Sequence, residues 1–251
     1  MGRLLAAMAL AAGLAAQTGE QPDVNQLQRR LEIQRHLLVD WAGLNHYGSE
    51  DTEVPKPKPG ENRVVFLGDQ ITERWGKGHA PFFPGKPYFN RGIPDQTAPQ
   101  MLIRFRQDVI DLHPKAVVIL GGLNDIAGLH GASTEEMILD NLTSMTQLAQ
   151  ANGIGVVLAS LTPVCNCFGK NGARERWQER ISEANELIEK YCTASGATFL
   201  DYYSAMANRD DLKKELTDDG VLPNDAGYRV MARLAGQAIA AALKAERHEA
   251  K

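Results

Sequence analysis

What the sequence lacks narrows its chemistry before any motif is considered. Its longest apolar run, from Leu4 to Leu14, is too short for the roughly 20 residues that a membrane-spanning helix needs. Positive charge is not in excess: 27 Lys and Arg against 31 Asp and Glu leave a formal net charge of −4. A nucleic-acid partner is disfavoured, because no basic field is available for a phosphate backbone. Cysteine occurs three times, at Cys165, Cys167 and Cys192. In an oxidising compartment one pair can form, expected to be Cys192 with one of the other two, leaving an odd thiol. The Cys-x-Cys spacing has no further ligands to complete a zinc site, so neither a metal nor a cofactor is expected.

What is present is the material for one packed domain, with 43% hydrophobic residues in 251. Residues 1–16 read as a secretory signal. Arg3 is a minimal positive start, the apolar run follows, and small residues mark a cut after Ala15 or Ala16. The expected location is therefore extracytoplasmic, periplasmic or secreted. Residues 17–62 read as an amphipathic helix carrying Val24, Leu27, Leu31, Leu37, Leu38, Trp41 and Leu44, followed by a linker. Pro55, Pro57 and Pro59 block helix and favour extended chain in that linker.

From residue 63 to 247 short apolar segments alternate with amphipathic ones. Strands are expected at 63–67, 88–90, 116–120, 155–160 and 198–200. Helices are expected at 97–112, 134–152 with Ser133 and Glu136 as a capping box, 173–195 and 226–247. Buried-type strands between helices imply a three-layer α/β/α sandwich around a mostly parallel sheet of about five strands. In such a sheet the loops at the carboxyl ends of the strands line one crevice. The loop 162–172 should overhang it.

Four segments fall at those loops: Gly68-Asp69-Gln70-Ile71-Thr72, Asn90-Arg91-Gly92-Ile93-Pro94-Asp95-Gln96-Thr97, Gly122-Leu123-Asn124-Asp125 and Asp219-Gly220-Val221-Leu222-Pro223-Asn224. Each is weak alone, but in order, spacing and placement together they resemble the blocks of the SGNH (GDSL) hydrolase superfamily across residues 60–245. The resemblance implies a flavodoxin-like fold and serine-ester hydrolysis, with five functional positions. The nucleophilic serine falls on Gln70, and the glycine that lends a backbone N–H to the oxyanion falls on Asp95. The oxyanion asparagine is Asn124, the triad acid is Asp219, and the histidine base falls on Leu222.

The chemistry weighs these replacements. A carboxamide cannot attack a carbonyl, and leucine cannot take a proton. An aspartate carboxylate at position 95 would oppose the negative charge that develops in the transition state. A lost base removes roughly 10²- to 10⁴-fold of rate, and a lost oxyanion donor about 10²- to 10³-fold. The expectation is a degenerate esterase site that binds an acylated or carbohydrate ligand, or a protein partner. The competing expectation is an esterase with displaced groups. Cys165 or Cys167 beside His79 or His130 would supply the nucleophile, or Asp69, Asp95, Asp125 and Asp219 a carboxylate pair. Against this, aspartates in such blocks commonly cap loops, and Trp75, Phe82, Phe83 and Tyr88 read as packing in preference to a sugar platform.

Overall fold

The computed structural model describes residues 24–77, 80–165 and 173–249. The described residues fall into two compact units, divided between Trp41 and Ala42. In the first, α1 (Val24–Val39) exposes Val24, Leu31, Leu38 and Val39. The second opens with the short helix α2 (Gly48–Glu53) and then builds the sheet.

The five strands are β1 (Val64–Gly68), β2 (Tyr88–Gly92), β3 (Ala116–Leu120), β4 (Gly155–Ala159) and β5 (Thr198–Leu200), in the order β2-β1-β3-β4-β5. Every pairing is parallel, with Val64 opposite Tyr88 on one side and Ala116 on the other. β1 and β3 are buried at every residue, as a sheet covered on both faces requires. The α/β fold expected from the sequence is thus found. Its strand order has a consequence for function. The chain leaves β1 toward β2 on one side and returns to β3 on the other, which opens a crevice beyond the carboxyl ends of β1 and β3.

The flanking helices differ from expectation in several details. α3 (Gln70–Glu73) follows β1, and α4 (Ala98–Asp108) follows β2. The helix expected over 97–112 breaks at Val109, whose φ of −127° and ψ of −65° are not helical, and a 3₁₀ turn Ile110–Leu112 completes it. α5 (Leu123–Ile126) follows β3, and α6 (Glu135–Ala151) leads to β4. The expected Ser133–Glu136 box is replaced by a one-residue shift. Thr134 is the N-cap, and its hydroxyl accepts from the Met137 N–H at 3.3 Å.

α7 (Ala173–Ser195) precedes β5. Beyond it lie α8 (Tyr202–Met206), a small antiparallel ribbon of β6 (Ala207–Asn208) and β7 (Asp211–Leu212), and α9 (Asp225–Glu249). α9 packs on β3, β4 and β5. Among the described residues no helix is long and apolar enough to cross a membrane.

The expected Cys192 disulfide is not formed. Cys165 is disulfide-bonded, whereas Cys192 is free and buried. Cys192 lies on α7 inside the apolar core, where burial pushes its thiol up to about 12 and leaves it inert. Cys167 and His79 lie outside the described residues.

Candidate active site

The crevice is built on two close approaches of backbone. Gly68 ends β1 where a Cβ would come within 2.1 Å of Thr72 Oγ1 and 2.8 Å of the Leu120 carbonyl oxygen. Gly92 ends β2 where a Cβ would lie 2.2 Å from the Glu73 nitrogen. Only glycine allows α3 to fold back this tightly over the strand ends. Asn90 then fastens the two strands' exits. Its Nδ2 donates to the Thr72 carbonyl at 2.6 Å, and its Oδ1 accepts from the Gly92 N–H at 2.9 Å.

Gln70, at the start of α3, reaches across this junction. Its Nε2 donates to Asn124 Oδ1 at 3.1 Å, and Asn124 Nδ2 donates back to Gln70 Oε1 at 2.9 Å, closing an amide–amide ring. The same Oε1 accepts the Asp95 backbone N–H at 3.1 Å. Asn124 Nδ2 spends its other hydrogen on the Gln96 carbonyl at 2.8 Å. Of the four residues expected to converge, Gln70, Asp95 and Asn124 are joined by these bonds, whereas Asp219 bonds its own turn. The sequence did not reveal that the three bond one another.

Asp95 also corrects an expectation. Its φ of +63° is left-handed, a glycine conformation, and that conformation is what aims its N–H at Gln70 Oε1. The residue is exposed. The backbone N–H at this position is thus a donor into the site whatever its side chain is.

Behind these groups stands a buried polar frame. Arg104 on α4 is fully enclosed; its Nε donates to Gln96 Oε1 at 2.5 Å, its guanidinium to Asp108 Oδ2 at 2.8 Å and to the Gly68 carbonyl at 3.0 Å. Gln96 Nε2 in turn donates to the Ala42 carbonyl at 2.6 Å. The loop carrying Asp95 and the end of β1 are therefore tied to one side chain. Sequence reasoning missed this frame, although Met101, Arg104, Phe105 and Asp108 recur at helical spacing on one face.

The aspartates weighed as an acidic pocket have separate tasks. Asp69 caps α3, accepting from the Ile71 N–H at 2.9 Å, and Asp125 accepts from the Ala98 N–H at 2.9 Å. Asp219 is exposed and closes its own turn: its Oδ1 accepts from the Val221 N–H at 2.9 Å and the Leu222 N–H at 2.7 Å. Leu222 is half-buried against the core. The link from this turn to α3 runs through α9, where the buried Tyr228 hydroxyl donates to the Ile71 carbonyl at 2.9 Å. Among the described residues no group of three His, Cys, Asp or Glu is placed to hold a metal.

Burial raises the Asp69 carboxyl to about 7; the Ile71 N–H lowers it, and the charges of Asp125 and Asp95 add to the rise. The folded state holds this proton more tightly than the unfolded one, whose value is near 3.8. The stability it contributes is therefore full below pH 3.8 and is lost as pH rises through about 7. Asp69→Asn keeps an acceptor for Ile71 and removes the charge. Denaturant unfolding between pH 5 and about 8 is expected to show falling stability in the parent and a flatter profile in the variant; equal slopes would refute the assignment.

The remaining candidates are dispersed. Cys165 is tied up in a disulfide, and His130 is exposed on the loop after α5. Phe66 and Trp75 are buried; Phe66 packs with Trp75, Phe82, Phe83 and Tyr88 at ring separations of 5.1–6.0 Å, the packing role expected of these aromatics.

The GDSL-like lipase/acylhydrolase family matches residues 66–230. A solved putative acylhydrolase from Bacteroides fragilis is 42% identical, with a TM-score of 0.76, over 81% of this chain and 99% of that one. A GDSL-like lipase from Bacteroides thetaiotaomicron is 39% identical, with a TM-score of 0.75, over 81% and 100%. An acetyl-xylooligosaccharide esterase from Geobacillus, 19% identical with a TM-score of 0.58 over 74% and 96%, shares the fold. No curated protein matches. The chain belongs to the GDSL-like lipase/acylhydrolase family.

Proposed function

We propose that this chain is an exported, non-catalytic member of its family, a binding protein whose esterase site is held shut by its own Gln70. The observation that carries the reading is the amide of Gln70 on Asn124 and the Asp95 N–H. In a serine hydrolase those two donors serve the oxyanion, and an acyl group reaches them through Cβ, Oγ and the carbonyl carbon. Gln70 runs through Cβ, Cγ and Cδ to Oε1, the same number of bonds, so its side chain copies an acyl-serine that water cannot discharge. Its carbon in place of Oγ offers no leaving group. Asn124 has no hydrogen left, and displacing the ring costs roughly 1 kcal/mol net for each of three hydrogen bonds.

The base position supports the same reading, since Leu222 has no ionisable group and Asp219 is turned to its own loop. Export rests on residues 1–16, whose charge and apolar pattern fit a signal. The second reading, hydrolysis by displaced groups, loses Cys165 as a nucleophile because its sulfur is in a disulfide.

The test is turnover of p-nitrophenyl acetate and butyrate by the mature protein, chosen because the similar proteins are named acylhydrolase and lipase. No turnover above buffer is expected, and none is expected from Gln70→Ala. Strong activity that survives Gln70→Ala would overturn the proposal, for the chemistry would then lie elsewhere.

A further inference from the structure

The helix α1 spans 16 residues and exposes large apolar side chains at Val24, Leu27, Leu31 and Leu38, from 41% at Leu27 to 88% at Leu38. Isolated helices of about 12–15 residues are marginal in water, and helices in proteins hold mainly by packing an apolar face. A helix of this length with these side chains in solvent therefore calls for a second surface.

Spacing tells which kind of surface. Positions 24, 27, 31 and 38 are the a, d, a and a positions of a heptad, and at about 100° per residue they fall within an arc of about 60°. Exposed Arg35 and Gln28 border this strip and set it apart from Val39, the last residue of the helix. A helix laid on a domain core presents an apolar arc of roughly 100° or more, whereas a strip confined to a and d positions is the seam of a helix pair.

We infer that α1 pairs with α1 of a second copy of this chain, antiparallel and about a two-fold axis. A second copy brings the same strip, so the contact is self-complementary. Charge chooses the direction. In a parallel pair the flanking e and g positions, which are Arg35 and Arg30 in the sequence, would set arginine against arginine. In an antiparallel pair centred just after Glu32, Leu27 meets the partner's Leu38, and Arg35 lies beside the partner's Gln28 with the partner's Glu32 one turn away. The seam is short, about 24 Å at 1.5 Å per residue. Its second d position is Gln34 in the sequence, so the pair falls below the roughly 1,600 Å² of a standard interface and is a weak dimer.

The experiment is sedimentation velocity of the mature protein across a concentration series, from about 1 to about 300 µM. A monomer at the low end and a dimer at the high end are expected, with a dissociation constant of roughly 10–100 µM. Leu31→Glu should raise that constant at least roughly tenfold, while Ile103→Glu, which alters an exposed apolar residue on α4, should leave it unchanged. Leu27→Cys and Leu38→Cys proteins, mixed and oxidised, should join to each other and not to themselves; Cys192 is buried and does not compete. A parent that stays monomeric throughout, or a dimer indifferent to Leu31→Glu, would overturn the inference. Each cysteine variant joining to itself would overturn the antiparallel pairing. A monomer that binds phosphatidylglycerol vesicles and loses them with Leu31→Glu would overturn the second copy as occupant and assign the strip to a lipid surface.

Discussion

Gln70→Ser, Asp95→Gly and Leu222→His, introduced together, are expected to make this chain hydrolyse p-nitrophenyl acetate at least roughly 10²-fold faster than the unmodified protein, a gain set by the worth of a general base. The argument starts from what the scaffold retains. Asn124 stays held by the Gln96 carbonyl once Gln70 is gone, and the Asp95 N–H already points at the vacated position. Serine at 70 removes the carboxamide that occupies both donors and supplies an oxygen nucleophile. Glycine at 95 suits the φ of +63° and takes a carboxylate away from developing negative charge. Histidine at 222 follows the Asp219 turn, whose Oδ1 is engaged by two N–H groups and whose second oxygen can accept from an imidazole. Single substitutions should do little, because nucleophile and base act as a unit. Initial rates across the single, double and triple variants test this. A folded triple variant with no turnover would mean that the 219–222 turn does not bring its base to residue 70.

The parts of this arrangement that were legible in the sequence share a physical character. β3 at Ala116–Leu120 and β5 at Thr198–Leu200 match expectation at both ends because short apolar runs are bounded by turn residues. α7 matches likewise at Ala173–Ser195. α3 and α5 were not anticipated, since each is four residues long and shows no period; they exist because Asp69 and the turn at Gly122 set the chain's direction. The site positions were legible as a pattern of residue types, but their meaning was not. Gln70 read as the loss of a nucleophile, and nothing in one dimension shows that its side chain has the length to reach Asn124. Asp95 read as a lost donor because sequence reports the side chain, whereas the donor is backbone and depends on φ. The Cys192 pairing failed for a similar reason. A cysteine on the buried face of α7 packs in the core, and spacing along the chain does not report which face it occupies.

Arg104→Ala is expected to destabilise the fold by about 3–5 kcal/mol, the loss typical when one partner of a buried ion pair is removed. Arg104 and Asp108 are both fully enclosed, one helical turn apart on α4. Burial alone pulls the guanidinium's proton affinity down, and the Asp108 carboxylate acts against that, so each charge is tolerated only because of the other. The alanine variant strands Asp108 without its cation, frees Gln96 Oε1 and leaves the Gly68 carbonyl with the Ile93 N–H alone. A buried carboxylate in that state is the costly element. Arg104→Met with Asp108→Leu removes both charges and fills the space, and should recover much of the loss. Denaturant unfolding of the two variants distinguishes a stranded charge from a lost volume. Were the double variant as unstable as Arg104→Ala, the frame would owe its stability to the bonds to Gln96 and Gly68, and the loop that presents the Asp95 N–H would be expected to loosen in both.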